Sequence, residues 1–239
     1  MPNKLTYEEQ FKIRASEVDT NQQATLPTIC NLLQEVAGNH ARQLAFDITD
    51  LQENELTWVL HRLQVQMDRY PDWRETITIR TWPSGGDGLR AHRDFLILDQ
   101  EENIVGHALS YWLILNIKSR RPMRIPKEIL SSVPNNSDHV LPVTDGEFRE
   151  LEYAEDQSQT FTVRKSDLDL NNHVNNVRYV EWALACLPEE YKAHQIDIKF
   201  LGEATADDTA VAQSESQNGQ YHFQITQADS QKVLARAHT

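Results

Sequence analysis

Cysteine is scarce in this chain, which has Cys30 and Cys186 as its only thiols among 239 residues. Both lie in apolar segments with helical character, so the sequence predicts buried free thiols in a reducing compartment and excludes a disulfide framework. Histidine is more frequent, but the nine histidines form no H-x-x-H or H-E-x-x-H pair, and the two cysteines form no C-x-x-C pair. A metal site therefore has little support.

Positive charge and long apolar runs are also lacking. The chain has 23 Lys and Arg against 36 Asp and Glu, a net charge of −13, which argues against non-specific nucleic-acid binding. No apolar run approaches the roughly 20 residues that a membrane-spanning helix needs. The start, "MPNKLTYEEQFKIR", lacks the apolar core of a signal peptide, and we expect a soluble, cytoplasmic protein.

Glycine-rich phosphate loops are missing as well, since neither G-x-x-x-x-G-K-[ST] nor G-x-G-x-x-G occurs. The stretch "SGGDG" (84–88) is more typical of a hairpin turn.

An internal repeat organises what is present. The segment "FKIRASEVDTN" (11–21) aligns with "FTVRKSDLDLN" (161–171). The identical pairs are Phe11/Phe161, Arg14/Arg164, Ser16/Ser166, Asp19/Asp169 and Asn21/Asn171. Each copy runs from a β-like segment through a polar turn into a helical pattern, at residues 26–46 in the first and 176–187 in the second. Pro188 is predicted to end the second helix.

Strand-like segments with short turns follow each helix, which indicates antiparallel hairpins. They span residues 56–70, 75–84, 91–100 and 104–116, then 194–201, 208–216, 220–227 and 232–239. The sequence therefore predicts an α+β fold of two like units. The first covers residues 1–145, with a connector from about 118, and the second covers 146–239.

The stretch "DLDLNNHVNN" (167–176) is the strongest candidate site. In an extended segment alternate residues face one side, so Asp169, Asn171 and His173 would converge just before a buried helix. The free N–H groups at that helix start would suit an oxyanion. Asparagine can position water, histidine can transfer a proton, and aspartate can hold either in place.

No strong nucleophile accompanies these residues. Ser166 lacks a G-x-S-x-G context, and Cys186 is placed about three turns into the predicted helix. Water attack on an acyl group fits this inventory better than a covalent acyl-enzyme. The alternative is a structural turn with a surface histidine, because Asx side chains commonly brace turns before helices. Asp19 and Asn21 repeat without the histidine, since Gln23 takes its place.

The string "LDLNNHVNNVRYVEW" (168–182) closely resembles the L-D-x-N-x-H-V-N-N-x-x-Y motif of plant and bacterial acyl-acyl carrier protein (acyl-ACP) thioesterases. Similarity continues in "LLQEVAGNHA" (32–41), "LTWVLHRLQVQMDRYPDWRE" (56–75), "RDFLILD" (93–99) and "SRRPMRIPKEI" (119–129). The resemblance runs from about residue 8 to the C-terminus. It implies a tandem hotdog fold, in which each unit is a long helix wrapped by an antiparallel sheet. It also implies cofactor-free hydrolysis of the thioester between a fatty acyl chain and the phosphopantetheine arm of ACP.

The resemblance implies Asp169, Asn171 and His173 as active-site residues, and it places Glu203 in register with the glutamate of the family. Glu203 would be the general base, or would polarise the attacking water together with Asn171; the alternative is a solvated glutamate at a strand end. Many plant members carry a cysteine after that glutamate, and a cysteine nucleophile has been proposed. Ala204 stands there in this chain, so we expect a water mechanism. The missing transit peptide suggests a bacterial member.

The remaining predictions concern binding. The candidates for substrate contact are Leu32, Leu33, Val36, Trp58, Asn175 and Asn176. The four apolar ones would line an acyl tunnel, although each is equally a core residue. ACP is acidic, so a basic patch would have to attract it. That patch would be the basic segment, defined as Lys118, Arg120, Arg121, Arg124 and Lys127, unless these residues form only a solvated connector.

Three rival functions stay open from the sequence. An acyl-CoA thioesterase on the same fold is the nearest, and a hotdog dehydratase, which would release no thiol, is the second. The third is a non-catalytic acyl-binding protein. The occurrence of His173 and Glu203 in only one of the two repeats argues against it, because binding would need neither residue. The protein would be a monomeric pseudo-dimer or a homodimer.

Overall fold

The computed structural model describes residues 5–131, 138–146, 148–152 and 158–239. The chain divides into two compact units, Met1–Val143 and Thr144–Thr239. Each combines a principal helix with an antiparallel sheet, which confirms the predicted α+β tandem hotdog. The domain limits of 1–145 and 146–239 stay a prediction.

Unit 1 has one strand before its long helix and the rest of its sheet after it. Its elements are β1 (Tyr7–Lys12), α1 (Leu26–Gln43), α2 (Ile48–Gln52), β2 (Leu56–Met67), β3 (Thr76–Gly86), β4 (Arg90–Leu98), β5 (Ile104–Asn116), β6 (Pro122–Met123) and α3 (Lys127–Leu130). The antiparallel sheet has the order β1-β3-β4-β5-β2, and β6 pairs with β5. The predicted hairpin at 84–88 joins β3 to β4.

The limits of α1 follow from local chemistry. The Thr25 hydroxyl caps its start by accepting the N–H of Thr28 at 3.3 Å. Its predicted end at residue 46 is three residues too late, because Ala45 turns left-handed (φ 57°). The N–H of Phe46 then reaches back to the Ala41 carbonyl at 2.9 Å and closes the helix.

In its described residues, unit 2 repeats the arrangement with fewer elements. They are β7 (Ser158–Thr162), α4 (Asn176–Leu184), β8 (Gln195–Phe200), β9 (Thr209–Gln217), β10 (Gln220–Gln227) and β11 (Val233–His238). The sheet order is β8-β11-β10-β9-β7, antiparallel throughout.

The helix α4 is shorter than predicted. It ends at Leu184, where the bonding tightens: the N–H groups of Cys186 and Leu187 donate to the carbonyls three residues back, those of Ala183 and Leu184, at 3.1 Å each. Cys186 therefore lies beyond the helix and is half-buried, so its placement three turns into a helix is wrong.

Each helix buries one face against its own sheet. In unit 1 the fully buried side chains include Ile29, Leu33 and Val36 of α1 with Ile79 of β3 and Phe95 of β4. Burying an aliphatic or aromatic side chain of this size contributes about 1.5–3 kcal/mol. The core thus fixes both helices, and with them the turn that precedes each one.

The first part of the predicted connector is folded onto unit 1. Ile125 and Ile129 join Leu51 and Ile114 in a hydrophobic cluster. Half-buried Leu130 also packs against this cluster. The segment lacks a periodic apolar pattern, so its packing could not be predicted from the sequence. Among the described helices, none is long and apolar enough to cross a membrane.

Candidate functional site

The predicted site begins with a closed turn. One carboxylate oxygen of Asp169 accepts the backbone N–H groups of Asn171 at 2.8 Å and His173 at 3.2 Å. The N–H of Asp169 donates to the His173 carbonyl at 2.7 Å, and Asn172 has a left-handed φ of 60°. The prediction of an extended segment is wrong, because a short Asx side chain satisfies these N–H groups locally and reverses the chain.

The turn decides what its three predicted catalytic residues do. Within residues 158–239, the Asp169 carboxylate makes no hydrogen bond to the His173 imidazole; it braces that residue's backbone instead. Asn171 is exposed, with its amide nitrogen 3.5 Å from Asp169 Oδ2. His173 is the member whose side chain leaves the turn toward another loop.

That other loop carries Glu203. The imidazole Nε2 of His173 lies 3.5 Å from Glu203 Oε2, and the two side chains are 29% and 32% exposed. The N–H of Val174 donates to the Ala204 carbonyl at 2.9 Å, so a backbone bond joins the two loops one residue beyond this pair. The structure therefore brings together His173 and Glu203, which are 30 positions apart in sequence, at a solvent-accessible spot.

The start of α4 lies next to this pair. The side chain of Asn175 caps the helix by accepting the Val177 N–H at 2.9 Å. The Asn175 N–H donates to the Asp167 carbonyl at 2.8 Å. The Val177 N–H is thus already used, and it could serve an oxyanion only if the cap opened. Binding of substrate by Asn175 and Asn176 stays a prediction.

Tyr179 is a residue of this site to which no role was assigned from the sequence. Its hydroxyl oxygen accepts the Ala204 N–H at 3.0 Å. Burial raises the pKa of the Tyr179 hydroxyl, and the charge of Glu203 adds to that effect. The signal was available in the repeat, because Ile29 holds the same helix position in the first copy.

The predicted acyl-binding side chains lie in unit 1. Leu32, Leu33 and Val36 are buried on α1, and half-buried Trp58 donates its indole N–H to the Phe46 carbonyl at 2.7 Å. These contacts are ordinary core packing. Their role in lining an acyl tunnel stays a prediction.

The basic segment is fully at the surface. All five of its cationic residues are exposed, and Lys118 forms an ion pair with Glu55. Two exposed apolar side chains accompany them in the sequence, Ile117 directly before Lys118 at 41% exposure and Met123 at 43%. The surface therefore combines positive charge with apolar contact area, and its docking role stays a prediction.

Both thiols are poor nucleophiles. Burial raises the pKa of Cys30 to about 12 and that of Cys186 to about 11. A thiol with such a pKa is almost entirely protonated near neutral pH. In the described ranges, no three His, Cys, Asp or Glu side chains are grouped to hold a metal ion.

The fold and the acid–imidazole pair define a double-hotdog protein with a candidate hydrolytic site in its second unit. Residues 4–133 match the acyl-ACP thioesterase N-terminal domain, and residues 151–239 match the acyl-ACP thioesterase C-terminal domain. The chain belongs to the acyl-ACP thioesterase family.

Individual relatives agree with this assignment. An oleoyl-acyl carrier protein thioesterase of Coriandrum sativum is 32% identical over 85% of this chain and 61% of that protein. The structure of an acyl-ACP thioesterase from Bacteroides thetaiotaomicron superposes with a TM-score of 0.87 at 25% identity, covering 100% of this chain and 98% of the other. A 12:0-ACP thioesterase from Umbellularia californica gives 0.84 at 26%, covering 98% and 96%. The chain spans about three fifths of the length of several curated plant relatives: it covers 61% of the Coriandrum sativum protein and 63% of a palmitoyl-acyl carrier protein thioesterase of Gossypium hirsutum.

Proposed function

We propose that this protein hydrolyses the thioester bond of fatty acyl-ACP, releases the free fatty acid and so ends chain elongation. The observation that carries the proposal is the pair of His173 and Glu203, held on two bonded loops of unit 2. A carboxylate and an imidazole 3.5 Å apart can both reach one water molecule, and either group can act as a general base. The names of the relatives, which specify acyl-ACP thioesters, support the substrate class.

The proposed chemistry is direct attack by water. The water oxygen adds to the thioester carbonyl carbon as its proton passes to Glu203 or His173, and a tetrahedral oxyanion forms. Collapse of that intermediate breaks the carbon–sulfur bond. The phosphopantetheine thiolate leaves and takes up the proton, so the products are a carboxylic acid and a free thiol.

The roles of the neighbours follow from their contacts. Asp169 holds the backbone of His173, and Asn171 can contribute an amide to orient the water. A covalent acyl-enzyme on the residue after Glu203 is impossible, because that residue is Ala204. The high pKa values of the thiols argue against Cys30 and Cys186 in that role.

The proposed partner is ACP, whose acidic surface would meet the basic segment of unit 1. Leu32, Leu33, Val36 and Trp58 are proposed to contact the acyl chain. We place the reaction in the cytoplasm of a bacterium, and the protein as a monomeric pseudo-dimer or a homodimer.

The test is release of free thiol from acyl-ACPs of C8 to C18 and from matched acyl-CoAs. We expect the wild type to prefer ACP substrates, and His173→Ala to lower the rate by about 100-fold or more. Gln23→Ala is the matched control, since it removes the corresponding side chain of unit 1 and should leave the rate within twofold. Faster hydrolysis of CoA substrates would favour the acyl-CoA alternative, and no thiol from any substrate would favour a binding protein.

A further inference from the structure

Several backbone N–H groups of the loop that carries Glu203 donate hydrogen bonds to its surroundings. The N–H groups of Leu201 and Gly202 donate to the Leu234 carbonyl at 2.8 and 3.0 Å. On the far side, the Thr205 N–H donates to the Asp208 carboxylate at 2.7 Å. Between these anchors lies the N–H of Ala204, a fully buried residue whose donor needs a partner. That partner is the hydroxyl of Tyr179.

Tyr179 is itself rigidly placed. It is 2% exposed on α4, and its ring packs edge-on against Trp182 at 5.2 Å and Phe200 at 6.0 Å between ring centroids. Phe200 is the last residue of β8, directly before the Glu203 loop. Because the ring is fixed, the hydrogen bond to its hydroxyl holds the backbone next to Glu203 at a set distance from α4.

Unit 1 supplies an internal comparison at equivalent backbone positions. The N–H of Ala24 donates to the Pro71 carbonyl at 2.8 Å, as that of Val174 does to Ala204. The carbonyl four residues after each of these acceptors is also bonded in the same way: Glu75 accepts the N–H of Ile13, and Asp208 accepts the N–H of Val163. Pro71 therefore corresponds to Ala204, and Tyr70 to Glu203.

The hydroxyl contact is absent from unit 1 on both sides. Pro71 has no N–H to donate, and Ile29, at the helix position of Tyr179, has no hydroxyl to accept one. Donor and acceptor are thus present together in the unit that has the acid and missing together in the unit that lacks it. A purely structural need of the loop would be expected in both units.

We propose that Tyr179 is a positioning residue that, through the Ala204 N–H, holds Glu203 beside His173. This inference rests on the proposed function. Misplacing a catalytic group by about 1 Å can cost about 100-fold in rate. The hydroxyl has its effect on the reaction step, so its loss should lower kcat and leave KM nearly unchanged.

The experiment compares the wild type, Tyr179→Phe, Ala204→Pro and the double variant on one acyl-ACP. Tyr179→Phe keeps the packed ring and is expected to lower kcat about 10- to 100-fold, with KM within about twofold. Ala204→Pro copies unit 1, where the same backbone accommodates proline. If the hydroxyl acts through the Ala204 N–H alone, adding Tyr179→Phe to Ala204→Pro should change kcat less than twofold.

Tyr191→Phe is the matched control, because its hydroxyl lies 3.2 Å from Thr239 Oγ1 in the same unit and should not affect kcat. Crystal structures of the wild type and Tyr179→Phe give a readout independent of activity. We expect the His173–Glu203 separation to lengthen by about 1 Å or more in the variant.

Two results would overturn the inference. The first is a folded Tyr179→Phe variant with wild-type kcat and an unchanged His173–Glu203 separation. The second is a Tyr179→Phe change that lowers kcat as much in the Ala204→Pro variant as it does in the wild type. An inactive wild type would reject the proposed function instead, and the crystal structures would still decide the inference.

Discussion

The two units contain the same turn built on different surroundings. Asp19 accepts the N–H groups of Asn21 and Gln23 at 2.9 and 3.0 Å, as Asp169 does those of Asn171 and His173. Gln22 and Asn172 have matching left-handed φ values of 63° and 60°.

The side chains that leave the two turns differ. In unit 1 the Gln23 amide lies 3.4 Å from a carboxylate oxygen of Asp72. In unit 2 the His173 imidazole faces Glu203. The repeated Asp therefore braces the turn in both units, whereas His173 and Glu203, to which we assign the proton transfer, are not repeated in unit 1.

The largest effect is expected from a change at Glu203, the acid that unit 1 lacks at the equivalent position. Glu203→Gln keeps the shape of the side chain and removes its negative charge and its capacity to accept a proton, so we expect the kcat for acyl-ACP to fall about 10²- to 10⁴-fold. Tyr70→Phe is the control at the equivalent position of unit 1, and it should change kcat less than twofold. Steady-state thiol release measures both. A Glu203→Gln enzyme with more than a tenth of the wild-type kcat would remove Glu203 from the chemistry.

A smaller effect is expected in the basic segment of unit 1, where we propose recognition and not reaction. Reversing charge with Arg120→Glu and Arg121→Glu should raise KM for acyl-ACP about 10-fold and leave kcat unchanged. The same enzyme assayed with acyl-CoA should show almost no change, and added salt should narrow the ACP difference. An unchanged KM for acyl-ACP would leave these arginines as a solvated connector.

The smallest effect sharpens the comparison at the shared turn. Asp19→Ala and Asp169→Ala each remove two hydrogen bonds to backbone N–H groups, and each should destabilise the fold by about 1–2 kcal/mol. Urea denaturation measures this loss. Only Asp169→Ala should also lower kcat, since its turn carries His173. Equal losses of kcat in both variants would contradict the proposal that only the turn of unit 2 serves the reaction.

Much of the fold could be predicted from the sequence, because hydrophobic periodicity and turn residues act locally. The predicted strand 220–227 coincides with β10, and α1 begins at Leu26 as predicted. The helix ends were missed because they depend on single conformations, such as that of Ala45. The shape of the turn at Asp169 was missed because alternation describes strands and says nothing of a side chain that bonds to its own backbone.

The candidate site was partly predictable for a different reason. His173 differs from its repeat partner, and that difference can be read directly from the aligned segments. Tyr179 differs from Ile29 just as visibly, but its contact with Ala204 spans 25 positions and appears only when helix and loop are both in place. Equivalence of Pro71 with Ala204 likewise emerges from backbone hydrogen bonds, since the segments around them share little sequence.

Ala204 has a consequence for the redox behaviour of the proposed enzyme. Each turnover would liberate a phosphopantetheine thiol beside Glu203. A cysteine next to that carboxylate could be oxidised with the departing thiol into a mixed disulfide, which would tether the spent carrier to the protein. Alanine offers no sulfur there, and Cys186 is a half-buried, protonated thiol past the end of α4. Oxidative stress would therefore not trap the carrier on this loop, and thiol-alkylating inhibitors would find no target in it.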